Sequence, residues 1–289
     1  MPPVKAYLQL FRPDAALISF ATYLVGAVLA NGLDLMDVAA AFLITGFSTN
    51  FCYSFNSWAD WETDAVNKPH RPIPSGRLTP RQALIYSMFL LAASLVYPFF
   101  LVRPGWMLFA YLLLPLLGLS YSGKPFSLKL RPPASVFAVS GGLVIPIIVG
   151  YYSNVRGAAP DLRAFFLALF VYCLAIIPLK DIEDERGDGD WNLYAKYGAR
   201  LPYYALAGLL IDAALLSVLP APPLLKAGLL LLFLLTGLMI RWHMARPDQM
   251  GFLYRRNIHI VEAGGALFLG WQVLYNKGVI SLSLMGGLP

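Results

Sequence analysis

Nine of the 16 acidic residues in this 289-residue chain crowd into two short windows, three between Asp60 and Asp64 and six between Asp181 and Asp190. In the first, Asn56, Asp60 and Asp64 are spaced i, i+4, i+8, which on a continuing helix places them within about 80° of one another at roughly 100° per residue. In the second, Asp181, Asp184 and Asp188 are spaced i, i+3, i+7 and share one helical face, while Glu183 and Glu185 point elsewhere. Carboxylates gathered this closely repel one another unless a cation resides among them. Oxygen-only ligands at a helix end suit Mg²⁺, which takes one or two carboxylates, several waters and the phosphates of its substrate. Two such clusters would frame a pocket for a diphosphate. Asn56, Asp60, Asp64, Asp181, Asp184 and Asp188 are therefore the candidate catalytic set, and the five aspartates among them are the candidate Mg²⁺ ligands. The competing reading, in which the acids are solvated helix ends at a membrane boundary, is the weaker one. Carboxylates at a helix C-terminus oppose the macrodipole by about 0.3–1 kcal/mol each.

Basic residues follow each cluster. The loop Asn67-Lys-Pro-His-Arg71-Pro-Ile-Pro-Ser-Gly76 carries three prolines and a glycine, a composition that fixes the backbone and permits one tight turn. Arg71 would be held over the first cluster, where its planar fork matches phosphate oxygens. Lys68 in the same loop, Tyr121, Lys124 and Lys129 further along, and Lys180 beside Asp181 complete the candidate diphosphate-binding set. Arg12 is a further basic candidate, and Lys129 and Arg131 each read equally well as boundary charges.

These parts suit one reaction. An allylic diphosphate breaks its C–O bond when the departing diphosphate is stabilised, and metal ions with Arg and Lys clamps supply that stabilisation. The carbon left behind has carbocation character and must stay dry until an acceptor attacks, which favours an apolar, aromatic-lined chamber.

The elements that must position such a site are membrane helices. The chain is 58% hydrophobic and 13% charged, against roughly 45–50% apolar and 25% charged in soluble domains. Nine apolar runs of near-spanning length are present, at Ala15–Ala30, Val38–Trp58, Ala83–Val102, Trp106–Ser122, Ser135–Tyr152, Leu162–Leu179, Pro202–Leu219, Leu224–Ile240 and His259–Tyr275. Lys5 and Arg12 precede the first run in the manner of a cleaved leader, but the run is long and the rest of the chain equally apolar, so it reads as a span. Seventeen of the 22 Lys and Arg residues fall on the side of the amino terminus, and only Arg103, Arg156, Arg163, Lys226 and Lys277 on the other. This positive-inside asymmetry puts the amino terminus and both acidic clusters in the cytoplasm of a multi-pass protein of the cell membrane. It also accounts for the net charge of +6 without nucleic acid.

No linker or soluble-sized insert interrupts the runs, so residues 1–289 read as one all-helical domain. Cys52 and Cys173 read as packing residues, and His70, His243 and His259 show no metal spacing. Asp212 lies mid-run, a costly place for a carboxylate and a candidate by default, although a hydrogen-bonded structural role suits it too. Glu262 is a lesser case. An ion-coupled transporter would also use intramembrane acids, but its sites lie near the midplane on broken helices, whereas these clusters lie at the interface.

Taken together, the chain resembles the UbiA-type intramembrane prenyltransferases over essentially its whole length. The resemblance is carried by NxxxDxxxD at Asn56, Asp60 and Asp64, RPIPSG at Arg71 to Gly76, Tyr121-Ser122, and DxxDxxxD at Asp181, Asp184 and Asp188, in order and spacing. It implies nine transmembrane helices around a central cavity, Mg²⁺-bound diphosphate under a cytoplasmic cap, and a lateral opening for lipid substrates. Within the family, the NKPHRPIPSG and KDIED patterns are most similar to the archaeal digeranylgeranylglyceryl phosphate synthases. That similarity implies transfer of a geranylgeranyl group to geranylgeranylglyceryl phosphate. An aromatic or chlorin acceptor, as in quinone or chlorophyll-type synthesis, is the alternative. The chain departs from the archaeal pattern after Asp188, where a Trp- and Tyr-containing segment precedes Gly198-Ala-Arg-Leu-Pro202.

Overall fold

Apolar runs that leave water must satisfy their backbone groups internally, and a helix does so within a single segment. The computed structural model describes residues 4–30, 35–97, 99, 106–155, 160–185 and 191–276, and every regular element among them is helical. The α-helices are α1 (Val4–Phe11), α2 (Pro13–Leu29), α3 (Leu35–Ala59), α4 (Trp61–Asn67), α5 (Pro80–Val96), α6 (Trp106–Ser122), α7 (Pro132–Asn154), α8 (Arg163–Ile176), α9 (Leu193–Tyr197), α10 (Leu201–Val218), α11 (Pro223–Met244) and α12 (Leu253–Asn276). Short 3₁₀ turns occupy Leu128–Leu130, Ile177–Ile182, Gly198–Arg200 and Pro247–Phe252.

Among the described residues, each apolar run of the sequence falls on one of the long helices. Four stretches, Pro132–Asn154, Arg163–Ile182, Leu193–Val218 and Pro223–Met244, are long and apolar enough to cross a membrane, and Pro80–Val96 and Tyr111–Ser122 are shorter apolar helices. Their outer faces stay greasy: Leu210, Ile211, Val218, Leu234 and Leu238 are all exposed. Starts are set locally. Pro13, Pro80, Pro132, Pro202 and Pro223 stand in first turns, where a missing N–H costs nothing, and Thr79 and Gln82 close a reciprocal capping box on α5.

Neighbouring helices pack side by side, and α12 returns against α2 to close the ring. The most extensive contact crosses it, between α2 and α7. Two glycines make that crossing possible: a Cβ on Gly26 would lie 2.1 Å from the Ile147 carbonyl oxygen, and one on Gly150 would lie 2.1 Å from that of Tyr23. With no hydrophobic drive between helices in lipid, such backbone contact and interhelical hydrogen bonds supply much of the cohesion. Tyr111 donates to Ser48 Oγ at 2.8 Å, Ser87 to Ser54 Oγ at 3.0 Å, and Asn257 to Tyr172 Oη at 3.3 Å. Cys52 and Cys173 are free thiols within the packed helices. The Cys52 thiol donates to the Leu114 carbonyl and Cys173 is buried in the apolar core, so both fill the packing role read from sequence.

Candidate active site

The first acidic cluster rides on α3 and α4. The helix turns at Asp60, yet the i→i+4 bonds run through the turn: Asp60 N–H to Asn56 O at 2.9 Å, Asp64 N–H to Asp60 O at 2.8 Å and Lys68 N–H to Asp64 O at 2.7 Å. The three side chains therefore keep the common face expected from their spacing. Asn56 Nδ2 donates to one Asp60 oxygen, and Lys129 Nζ, from the 3₁₀ turn after α6, donates to the other. Asp64 is buried and accepts from Arg71 Nη1 at 2.5 Å.

The proline-rich loop holds Arg71 in place by its own turns. Arg71 N–H bonds to Lys68 O and Ser75 N–H to Arg71 O, both at 3.0 Å, and Gly76 takes the positive φ of 74° that closes the turn. Ile73 and Leu78 are buried against Ala6, Leu10 and Ala83, which pins the loop beneath α1. The rigid loop expected from three prolines is thus also packed from above.

The second cluster departs from its expected form. Asp181 belongs to a 3₁₀ turn, Ile177–Ile182, and not to a continuing α-helix. Pro178 explains the change, because it has no N–H for the α-helical ladder. Asp184 lies two residues beyond the end of that turn. Asp188 lies outside the described residues. Asp181 is buried, takes Lys180 Nζ at 2.5 Å on one oxygen and receives the Leu193 N–H at 2.9 Å on the other. Asn192 caps α9 through Ala195 N–H at 2.9 Å and donates to the Asp181 carbonyl at 2.8 Å.

The two clusters meet. Lys68 of the first loop pairs with Asp184 of the second cluster, and Asn67 Nδ2 donates to the Asp184 carbonyl at 3.3 Å. Each of the four described aspartates carries a basic partner: Asp60 with Lys129, Asp64 with Arg71, Asp181 with Lys180 and Asp184 with Lys68. Glu183, which spacing sets apart from the cluster, reaches Arg255 of α12 at 2.9 Å. Burial pushes the Glu183 carboxyl above its ordinary range, against the pull of Arg255.

Other candidates separate from this centre. Lys124 and Arg131 are exposed, and Tyr121 is half-buried at the end of α6. Glu262 pairs with His259 at 2.9 Å on the surface of α12. Asp212 is fully buried in α10, and neither of its carboxylate oxygens has a hydrogen-bond partner among the described residues. Arg12 is held by Asp14 beside the Tyr53 ring. Sequence reasoning missed Asn67, Asn192, the Leu193 N–H and Arg255. It also missed Tyr254, half-buried beside Arg255 at the start of α12. An aromatic followed by two arginines at the head of the last run was the only signal available for the last two.

Among the described residues no group of three His, Cys, Asp or Glu side chains is close enough to form a metal cage alone. That donor set still fits Mg²⁺, which rarely uses dedicated all-protein cages and completes its shell with water and phosphate. Asp60, Asp64, Asp181 and Asp184 offer hard oxygen donors, and their four cations can turn to an incoming phosphate.

The sequence profile described as the UbiA prenyltransferase family matches residues 19–250. A digeranylgeranylglyceryl phosphate synthase of Natronomonas pharaonis is 30% identical over 229 residues, covering 76% of this chain and 79% of the relative. A UbiA homologue from Archaeoglobus fulgidus superposes with a TM-score of 0.72 at 22% identity, over 93% of this chain and 98% of the other. The same homologue bound to GPP and Mg²⁺ superposes with a TM-score of 0.69 at 20% identity, over 90% and 99% of the two chains.

Proposed function

Since the chain belongs to the UbiA prenyltransferase family and is thus a membrane-embedded, multi-pass prenyltransferase, we propose that it transfers a geranylgeranyl group from its diphosphate to the free hydroxyl of geranylgeranylglyceryl phosphate. The observation that carries this reading is the pairing of Lys68 with Asp184, which joins two acidic clusters and their four cations into one site. The relative from Natronomonas pharaonis supports the choice of acceptor.

Mg²⁺, bound through Asp60, Asp64, Asp181, Asp184 and Asp188, would neutralise the leaving diphosphate as the C–O bond of the donor breaks. The protein residues do the rest. Arg71, Lys68, Lys129 and Lys180 exchange carboxylate for phosphate oxygens when the donor binds, so the site keeps its charge balance with and without substrate. Asn56 orients Asp60 through its side-chain amide. Tyr121 and Lys124 are the outer members of the diphosphate set. The electron pair of the broken bond leaves with the diphosphate, the acceptor oxygen forms the new C–O bond, and its hydroxyl proton is released. The nine helices read from the sequence enclose the prenyl chain in a central cavity. The basic loops put the amino terminus and the site on the cytoplasmic face, and residues 1–289 act as one domain.

The test is product identity. Purified protein given radiolabelled geranylgeranyl diphosphate, Mg²⁺ and geranylgeranylglyceryl phosphate should form the diether lipid, resolved by thin-layer chromatography. Donor turnover without that lipid, and with a prenylated aromatic or chlorin product instead, would move the acceptor to the other class.

A further inference from the structure

Between α2 and α3 runs an apolar groove of about 210 Å³, walled by Phe11, Pro13, Leu17 and Phe20 on one side and by Phe42 and Gly46 on the other. Phe20 and Phe42 meet edge to face across it, ring centroids 6.0 Å apart. From Pro13 to Phe20 the helix rises about 10 Å. At the head of the groove stands Arg12, between the lining residues Phe11 and Pro13. Its left-handed backbone, φ 48°, makes the corner between α1 and α2. Non-glycine residues rarely adopt that region, and where they do the surroundings fix them there.

The guanidinium is aimed by two contacts. Asp14 takes Nε at 3.1 Å and Nη2 at 2.9 Å, and the Tyr53 ring of α3 lies 5.0 Å from the guanidinium carbon. This fork leaves Nη1 outside it, and the side chain retains 36% exposure. Tyr53 stands three residues before Asn56 on α3, so the head of the groove lies about one helical turn from the first acidic cluster.

We propose that this groove is the acceptor subsite, in which Arg12 takes the phosphate of an amphiphilic alcohol and the walls of α2 and α3 take the first part of its hydrocarbon chain. The inference rests on the prenyl-transfer reading and deepens it. Charge complementarity selects the occupant. The donor's diphosphate has four cations of its own at the two clusters, whereas Arg12, already shared with Asp14, suits a single phosphate. An ordinary bilayer lipid has no need of a cation beside the catalytic carboxylates. Phe42 is exposed, so beyond Phe20 and Phe42 the rest of the acceptor chain emerges among lipid tails, and the groove fixes the hydroxyl end and is indifferent to the far end.

Steady-state kinetics on the full-length protein in nanodiscs of fixed lipid composition test this, varying geranylgeranylglyceryl phosphate and geranylgeranyl diphosphate separately. Arg12→Gln should raise KM for the acceptor roughly tenfold or more while leaving donor KM within about twofold, as expected for one lost charge-assisted contact. Gly46→Phe should do the same by filling the groove, since a Cβ there meets nothing within 4 Å and the fold has room for it. Should thermal unfolding show that variant to be damaged, Leu17→Trp, at a position 60% exposed, fills the groove from the other wall. Unchanged acceptor KM in folded variants, or an equal rise in donor KM, overturns the assignment. An effect that follows the nanodisc lipid and not the acceptor concentration also overturns it, in favour of a structural lipid. A wild-type protein that consumes donor but ignores this acceptor defeats the acceptor named above, and the groove's occupant with it, while leaving prenyl transfer standing.

Discussion

Lys68, four residues beyond the first aspartate cluster, pairs with Asp184 of the second, a contact between segments 116 positions apart. Because one partner belongs to the loop of one cluster and the other to the opposite cluster, the pair reports directly on whether the two halves of the site are assembled. Lys68→Met is expected to raise donor KM about tenfold, the loss of one charge-assisted hydrogen bond. The charge-swapped double variant, Lys68→Asp with Asp184→Lys, should recover thermal stability relative to the single changes and still fail in turnover. Recovery of turnover would mean that the pair is only a strut.

Lys129 and Lys124 lie in the same loop and differ in placement. Lys129 is largely covered and pairs with Asp60, while Lys124 is exposed. Lys129→Gln is expected to weaken donor binding by about an order of magnitude and Lys124→Gln by much less, in keeping with the small worth of exposed charges. Isothermal titration with a non-hydrolysable diphosphate analogue separates them. Equal effects would show that the loop rearranges when donor binds.

The α2–α7 crossing depends on Gly26 and Gly150, each of which would drive a Cβ to 2.1 Å from a backbone carbonyl oxygen. Backbone cannot yield as a side-chain tip can. Gly150→Leu should therefore cost at least about 1–3 kcal/mol, the usual penalty of overpacking, and lower the apparent melting temperature in detergent. A normal melting temperature would show that the helices cross less closely.

Asp212 is buried in α10 without a hydrogen-bond partner for either carboxylate oxygen among the described residues, and it lies apart from the two clusters. Burial of an unpartnered polar group costs about 1–3 kcal/mol, so Asp212→Leu is expected to raise the melting temperature. Turnover should stay within about twofold, because the clusters keep all their partners. A collapse of activity in a folded variant would instead place Asp212 in the reaction.

How much of this was legible depends on the range of the interaction concerned. The apolar runs coincide with helices among the described residues because both reflect the same demand for backbone satisfaction away from water. The shared face of Asn56, Asp60 and Asp64 was readable because the i→i+4 bonds persist through the turn at Asp60. The second cluster was misread as a helical face, although Pro178, three residues before Asp181, already signalled the change to 3₁₀ geometry. Lys129 could be sorted from its neighbours only by its contact with Asp60, a pairing between residues 69 positions apart. The Leu193 N–H and the Asn192 amide that hold Asp181 leave no signature, since any residue has a backbone N–H and asparagine is common in loops. Arg255 was read as part of the positive-inside count, which says where a charge lies and nothing of its partner.

The central claim is that two acidic clusters act as one Mg²⁺-dependent site for a prenyl diphosphate. The most direct measurement is transfer of radiolabelled geranylgeranyl diphosphate to geranylgeranylglyceryl phosphate by wild type, Asp60→Ala and Asp181→Ala, each with Mg²⁺ and with EDTA. Melting curves confirm that the variants are folded. The expected result is diether lipid from wild type with Mg²⁺ alone, and a loss of about 100-fold or more in each variant, the scale of removing one group that stabilises developing charge. Undiminished product in EDTA, or wild-type turnover from both folded variants, would contradict it.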